Sequence, residues 1–296
     1  MVARLQQVIV LAWLALAAGW LGYWWNRSVT VACTGIVALA SVHAAVLAIE
    51  FIASYAINKH DAAPRARVLQ YLRAWLAESC MAPRVFCWRQ PFRSQARPDR
   101  LPGNGLRGVV LIHGFLCNRS FWTPWLHELT RRKRAFIALS LEPAFGSIDN
   151  YVRAIDDAIA RIAATTGLPP VLVCHSMGGL AARAWLRDAD DASRVHRIVT
   201  MGTPHAGTWL ARFAQTRNGR EMRRGGEWLT GSVPRSGGAS RVAFTCWYSN
   251  CDNIVFPASS ATLPGADNRL AAGLAHVEMA FDRRVMYETL ALLDTQ

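Results

Sequence analysis

Ser176 is the side chain in this sequence that is best placed to do chemistry. It follows Val171-Leu172-Val173-Cys174, which predict a short buried strand, and it precedes residues 177–186, which are rich in helix-forming residues. A serine in a tight turn between a strand and a helix projects away from its neighbours, and the first N–H groups of the new helix point toward it. This arrangement suits a nucleophile whose reaction passes through an oxyanion.

The turn departs at one position from the usual Gly-x-Ser-x-Gly pattern. Cys174 stands where the first glycine is expected, while Gly178 keeps the second. Because cysteine is small, we expect that the strand and the helix can still approach each other closely. Taken alone, this stretch leaves open an ordinary strand–turn–helix connection with a serine cap.

Alternating strands and helices are predicted to position this turn. Strands are predicted at residues 85–88, 109–112, 135–141, 171–174, 198–201 and 242–248, and helices at residues 64–78 and 285–293. A further helix is predicted to begin at Ser147 and to end at Gly167. This alternation predicts an α/β fold with a mainly parallel sheet that is covered on both faces.

Two apolar stretches precede this region. Residues 8–25 carry no charge and would span roughly 27 Å as a helix, and they end in an aromatic cluster typical of a membrane interface. Residues 29–57 are interrupted only by His43 and Glu50, and we expect Glu50 to face the partner helix, a cavity or the interface. A cleaved signal peptide is the alternative for the first stretch, but no convincing cleavage site follows it. We therefore predict a two-helix transmembrane hairpin over residues 1–57, followed by a separate domain over residues 58–296.

The charge of the chain bears on its partners and its orientation. The formal charge is +13, almost entirely from Arg, and the cations are scattered without a nucleic-acid recognition motif, so we expect no nucleic-acid partner. Association with an anionic membrane surface and a solvated basic surface both explain the total charge. The cations Lys59, Arg65, Arg67 and Arg73 follow the second apolar stretch, which predicts an inner-membrane protein with its domain on the cytoplasmic face. The seven Cys residues lack the spacing of a metal site.

Five motifs occur in the order seen in α/β-hydrolases. They are His113-Gly114-Phe115, Ser176-Met177-Gly178-Gly179, Gly202-Thr203-Pro204-His205-Ala206-Gly207-Thr208, Asp252 and His276. Residues 108–293 therefore resemble the α/β-hydrolase superfamily, and the Gly-Thr-Pro-His-x-Gly-Thr run resembles bacterial lipases and esterases in particular. The resemblance implies an α/β-hydrolase fold, a serine nucleophile and no metal or organic cofactor.

The resemblance also implies a role for each motif. Ser176 would attack the acyl carbon, and His276, late in the chain, would take its proton. Asp252 follows the strand that ends at Tyr248, where a carboxylate can hold the imidazole tautomer and stabilise the imidazolium. The rival carboxylates for this third position are Asp267, Asp188, Asp190 and Asp191.

The remaining site residues surround the reacting groups. The backbone N–H groups of Phe115 and Met177 are expected to form the oxyanion hole. The side chains expected to contact the substrate are His175, Trp209, Leu210 and Phe213. Residues 208–238 lie between two strands in the position of a lid, and a surface loop with a few packing anchors is the alternative.

These inferences predict a membrane-anchored serine hydrolase that cleaves carboxylic esters, in particular lipid esters, through an acyl-enzyme. A thioesterase, an amidase or an acyltransferase could use the same three side chains, because fold and triad do not fix the leaving group. A non-catalytic membrane scaffold is the alternative of another class, and the complete Ser, Asp and His set argues against it. The sequence does not predict an oligomeric state.

Overall fold

The structure, a computed structural model, describes residues 1–231 and 242–294. Its strands are β1 (Val109–Ile112), β2 (Phe136–Ala138), β3 (Val171–His175), β4 (Arg197–Met201), β5 (Ala243–Tyr248) and β6 (Asp267–Leu270). Its α-helices are α1 (Val2–Trp24), α2 (Val29–Asn58), α3 (Val68–Pro83), α4 (Gln90–Phe92), α5 (Thr123–Arg131), α6 (Val152–Thr166), α7 (Met177–Asp188), α8 (Arg217–Glu221), α9 (Glu227–Gly231), α10 (His276–Met279) and α11 (Arg283–Ala291).

The described strands form one parallel sheet in the order β2-β1-β3-β4-β5-β6. Successive side chains of a strand point to opposite faces. Accordingly, Val109 and Leu111 of β1 pack into one hydrophobic cluster, while Val110 and Ile112 pack into the other. Both faces of the sheet are therefore buried, which confirms the predicted α/β fold with a parallel sheet.

Helices cover the two faces. Trp125 and Leu129 of α5 and Leu290 of α11 pack on one face, and residues of α6 and α7, such as Ile155 and Trp185, pack on the other. Each fully buried Ile or Leu side chain contributes on the order of 1.5–3 kcal/mol. The carboxyl ends of the parallel strands are thereby fixed at one edge of the sheet, where the loops that follow β1, β3, β4 and β5 meet.

The first two helices form an antiparallel hairpin. By length and composition both can cross a membrane, since the most apolar parts of α1 and α2 have mean hydropathies of 1.6 and 2.2 and are almost entirely unburied. The helices approach closely at Gly35, where a Cβ atom would lie 2.0 Å from the indole nitrogen of Trp20. That indole donates a hydrogen bond to the carbonyl of Val31 (3.2 Å).

The segment that follows the hairpin differs in part from the sequence prediction. The helix predicted at residues 64–78 corresponds to α3, which begins and ends closer to the C-terminus than predicted. The strand predicted at residues 85–88 is wrong, because Arg84–Arg89 form a π-helical turn that continues α3. A short apolar run does not distinguish a strand from a helix by its periodicity. Trp75 of α3 donates to the carbonyl of Ala44 in α2 (2.8 Å), so α3 packs against the hairpin.

One side of α3 carries apolar side chains that face outward. Val68, Leu69, Leu72 and Leu76 are all exposed, Leu69 by 75%, whereas Tyr71 and Ala74 are buried against α2. The exposed row follows the three- and four-residue spacing of a helix. It therefore forms a continuous apolar strip on α3, apart from the residues that pack against α2.

Candidate active site

Ser176 lies in the turn between β3 and α7 with an unusual backbone conformation (φ 54°, ψ −128°). Such conformations cost about 1–3 kcal/mol for a residue other than glycine and persist only where the surroundings impose them. The N–H of Ser176 donates to the carbonyl of Met201 (2.8 Å). Its carbonyl accepts hydrogen bonds from the Thr203 hydroxyl (2.8 Å) and the Gly179 amide (3.1 Å). These bonds tie the turn to the end of β4.

Two glycines allow α7 to start this close to the sheet. A Cβ atom at Gly178 would lie 2.3 Å from the carbonyl oxygen of Ile112, and one at Gly179 would lie 2.2 Å from the hydroxyl of Thr203. Cys174, by contrast, is fully buried among the apolar residues under α7. The packing there accommodates its side chain, so the departure from glycine at this position does not disturb the turn.

Asp252 and His276 form a buried pair at the same edge of the sheet. The Nδ1–H group of His276 donates to Oδ2 of Asp252 (2.9 Å), and only 4% and 1% of the two residues are exposed. Oδ1 of Asp252 accepts hydrogen bonds from the amides of Ile254 and Val255, both 2.8 Å. Both oxygens are therefore bonded, which fixes the orientation of the carboxylate. The rival carboxylates lie elsewhere, in ion pairs with neighbouring arginines at Asp267 and Asp188 and in a helix cap at Asp191.

The surroundings of His276 increase its affinity for a proton. Burial alone would lower the pKa of His276, but the charge of Asp252 and the hydrogen bond to it, with contributions from Glu78 and Glu50, raise that pKa above its ordinary value. Nδ1 is occupied by Asp252, so Nε2 is the nitrogen available to take a proton. An imidazole in this arrangement can act as a general base and stabilises the imidazolium that results.

Gly202 lies against the Asp252–His276 pair and directly follows the end of β4. A Cβ atom on Gly202 would lie 3.0 Å from both Oδ2 of Asp252 and Nδ1 of His276, and its φ of +56° also favours glycine. The preceding residue, Met201, accepts the hydrogen bond from the Ser176 amide. The end of β4 is thus in contact with the turn that bears Ser176 and with the Asp252–His276 pair.

His175, the residue before Ser176, packs between His276 and Phe121. Its Nε2 donates to the carbonyl of His276 (3.1 Å), and its ring lies 4.6 Å from the rings of both His276 and Phe121. Burial, reinforced by the charge of His276, lowers the pKa of His175 well below its usual value, so the ring is neutral. Only 2% of the residue is exposed and its ring packs against His276, so contact of His175 with substrate stays a prediction.

The loop after β1 carries the first expected oxyanion donor, Phe115. Nε2 of His113 accepts from the Leu141 amide (3.0 Å), so its Nδ1 carries the hydrogen and donates to the Gly114 carbonyl (2.8 Å). Burial lowers the pKa of His113 to about 4, so this neutral tautomer persists at physiological pH. A Cβ atom at Gly114 would lie 2.8 Å from Cβ of Ser176. The loop therefore passes directly beside the serine.

Met177, the second expected donor, is the first residue of α7. The first N–H groups of a helix have no acceptor within that helix and point outward from its end. The amide of Met177 is therefore suited to binding negative charge that develops beside Ser176.

The aromatic side chains expected to contact substrate lie beside the Asp252 loop. Trp209 stacks on Phe256 (ring centroids 5.8 Å apart) and contacts Phe213 edge-on (5.3 Å). Trp209 and Leu210 are half-buried, whereas Phe213 is 63% exposed. The predicted lid, residues 208–238, is described only as far as residue 231, and the remainder lies outside the described residues.

Some residues at the site were not anticipated from the sequence. Asn253 accepts a hydrogen bond from the His276 amide, and the hydroxyl of Ser54 donates to the Asp252 carbonyl. Glu50, from α2, binds the side chain of Asn253 in the Asp252 loop, and Glu78, from α3, binds the backbone of the His276 loop. A carboxylate within an apolar stretch was a usable signal for Glu50, whereas nothing in the local sequence distinguishes Glu78. Within residues 1–231 and 242–294, no group of three or more His, Cys, Asp or Glu side chains could hold a metal ion.

Comparisons with known proteins agree with this architecture. Residues 109–288 match the model of the alpha/beta hydrolase family. The fold is similar to that of the lipase BlEst2 of Bacillus licheniformis in its mature form (TM-score 0.58, 16% identity), with 67% of this chain and 96% of the lipase aligned. It is also similar to lipase B of Aspergillus fumigatus (TM-score 0.57, 19% identity), with 67% and 55% aligned. No curated protein shows significant sequence similarity to the chain. The family match covers more than half of the sequence, and the chain therefore belongs to the α/β hydrolase family.

Proposed function

We propose that this hydrolase is a membrane-anchored serine esterase that cleaves carboxylic esters, including lipid esters, through an acyl-enzyme. The observation that carries the proposal is the buried Asp252–His276 pair (2.9 Å) beside the turn in which Ser176 adopts its strained conformation. Catalysis of acyl transfer by a serine requires a base for its proton, a group that orients that base and donors for the oxyanion.

In the proposed reaction, Ser176 Oγ attacks the ester carbonyl carbon while Nε2 of His276 takes the hydroxyl proton. The amides of Met177 and Phe115 donate hydrogen bonds to the oxyanion, and the imidazolium then gives its proton to the leaving alcohol. Water repeats the sequence on the acyl-enzyme and releases the acid. Removing one oxyanion donor typically costs about 3 kcal/mol, so the serine turn and the Phe115 loop must both be held in place.

The hairpin supports membrane anchoring. Its two helices have exposed apolar surfaces of membrane-spanning length. The apolar strip, with Leu69 75% exposed, lies on a helix that packs against α2, and a bilayer surface would cover it. The exposed Phe213 is a further candidate for contact with an acyl chain.

The side of the membrane follows from the distribution of positive charge. Lys59, Arg65, Arg67 and Arg73 follow α2, which favours a cytoplasmic location of the hydrolase domain. A reporter enzyme that is active only in the periplasm, fused to the C-terminus, should be inactive. Activity of the fusion would place the domain on the opposite side.

Labelling with a serine-directed fluorophosphonate tests the chemistry. Wild-type protein in native membranes should be labelled, Ser176→Ala should not, and Ser193→Ala, which changes an exposed serine, should be labelled as wild type. Labelling of Ser176→Ala at the wild-type rate would reject the nucleophile. Matched ester, thioester and amide substrates would then identify the leaving group, with esters expected to react fastest.

A further inference from the structure

The four consecutive backbone amides of residues 275–278 each donate to a side chain. The amide of Ala275 donates to Glu278 (3.1 Å), and the amide of His276 donates to Oδ1 of Asn253 (3.2 Å). The amides of Val277 and Glu278 donate to the two oxygens of Glu78 (2.9 and 3.1 Å). The position of the imidazole therefore depends on these partners.

Glu78 reaches this loop from α3, outside the segment that matches the hydrolase family. Only 2% of the residue is exposed, and it meets the first turn of α10, whose first residue is His276. On the outer side of the same turn, Arg73 of α3 pairs with Glu278 (2.6 Å) and donates to the carbonyl of Gly273 (3.1 Å). Helix α3 thus holds the His276 loop from its buried and its exposed side.

Glu50 reaches the same loop from α2 through Asn253. Its Oε2 accepts a hydrogen bond from the Asn253 side-chain nitrogen (2.8 Å), which leaves the Asn253 oxygen to accept from the His276 amide. A buried Asn amide needs an acceptor for its nitrogen and a donor for its oxygen, so the Glu50 carboxylate determines which way the amide faces. One turn further along α2, the buried Ser54 hydroxyl donates to the Asp252 carbonyl (2.6 Å).

We propose that Glu78 and Glu50 are positioning residues for the general base, which they orient through its backbone. The inference rests on the proposed function, since it assigns His276 as the base. It gives α2 and α3, which precede the family-matched segment, a part in positioning the catalytic base in addition to any anchoring role.

The charges around the base agree with this proposal. The groups that face His276 are Asp252 at Nδ1, the neutral His175 ring, Glu78 and Glu50. Both glutamates raise the pKa of His276. Burial raises the pKa of Glu78 itself to about 7, against the opposing effects of its two backbone hydrogen bonds and the His276 charge. The ionised fraction of Glu78 therefore increases as the pH rises through about 7.

The pH dependence of kcat/KM for a short soluble ester tests the proposal on full-length protein in detergent. The variants are Glu78→Gln and Glu50→Gln, and the control is Glu288→Gln, which removes a carboxylate of the α11 surface that pairs with Arg269. The acid limb of the profile reports the pKa of the base. Because a nearby carboxylate typically shifts such a pKa by about one unit, each test variant should move the acid limb to lower pH, while Glu288→Gln should not. For Glu78→Gln we also expect kcat to fall about tenfold with an unchanged KM.

The outcomes separate this inference from the proposed function. A displaced acid limb in either test variant supports the positioning role, and Glu50→Gln decides the question if Glu78→Gln does not fold. An acid limb at the wild-type position in every folded test variant that reacts with fluorophosphonate overturns it and leaves the serine mechanism intact. Failure of fluorophosphonate to distinguish wild type from Ser176→Ala would instead reject the proposed function.

Discussion

The buried carboxyl group of Glu78 should make the stability of the protein depend on pH in a specific range. Burial raises the pKa of Glu78 from 4.5 to about 7, so ionisation of this group is less favourable in the folded chain than in the unfolded chain. The protonated carboxyl group makes its full contribution to the free energy of unfolding below about pH 4.5. That contribution is lost as the pH rises through about 7. A difference of about 2.5 units corresponds to about 3 kcal/mol at 1.36 kcal/mol per unit.

Glu78→Gln cannot ionise and should not show this loss. Groups that do not interact with Glu78 cancel in the difference between the two proteins. The stability of the variant relative to wild type should therefore rise by about 3 kcal/mol between pH 4.5 and 8.5. For a domain of about 240 residues this corresponds to a relative increase in Tm of roughly 6–12 °C.

Thermal unfolding in detergent at a series of pH values measures this effect. The informative quantity is the difference in Tm between Glu78→Gln and wild type as a function of pH, with Glu288→Gln, at a partly exposed carboxylate, as the control. A difference that stays constant from pH 4.5 to 8.5 would refute the reasoning, because it would mean that Glu78 ionises equally easily in the folded and unfolded chains.

Three further predictions concern the site and its surroundings. Asp252→Asn should lower kcat by about 10⁴ with an unchanged circular dichroism spectrum, because the amide no longer favours the tautomer in which Nδ1 carries the proton; a loss below tenfold would contradict that role. Gly178→Ala should destabilise the protein by about 3 kcal/mol or more in thermal melts, since the added Cβ would lie 2.3 Å from the Ile112 carbonyl oxygen. The control Gly19→Ala, at a position with open space around it, should have little effect. Phe213→Ser should reduce hydrolysis of long-chain esters relative to short-chain esters, and an unchanged ratio would exclude the exposed ring from substrate contact.

Local sequence was sufficient to predict much of the fold because the central strands are continuous apolar runs. Residues 109–112 and 171–174 form β1 and most of β3, and the helix expected after Ser147 ends at Gly167, which adopts a left-handed conformation (φ 71°). β6, however, consists of Asp267-Asn268-Arg269-Leu270 at the edge of the sheet. Its pairing with β5 stabilises it, and its side chains carry no apolar pattern that could have predicted a strand.

Two kinds of signal predicted parts of the candidate site, a local motif around Ser176 and the resemblance to α/β-hydrolases for Asp252 and His276. The small residues around Ser176 predict the tight turn, and the structure also places Asp252 and His276 together at the carboxyl end of the sheet. The contacts of Glu50 and Glu78 join residues about 200 positions apart. Such pairs depend on how α2 and α3 pack against the domain, which no short stretch of sequence specifies.

The unbroken course of α2 has a mechanical consequence in the proposed membrane arrangement. Ala44, which accepts the hydrogen bond from Trp75, and Ser54, which binds the Asp252 carbonyl, belong to the same helix and are separated by about 15 Å of axial rise. Because α2 is continuous between these residues, the reaction centre would be held at a fixed distance from the part of α2 that spans the membrane. Such an enzyme would encounter its substrates by two-dimensional diffusion within the leaflet that it faces.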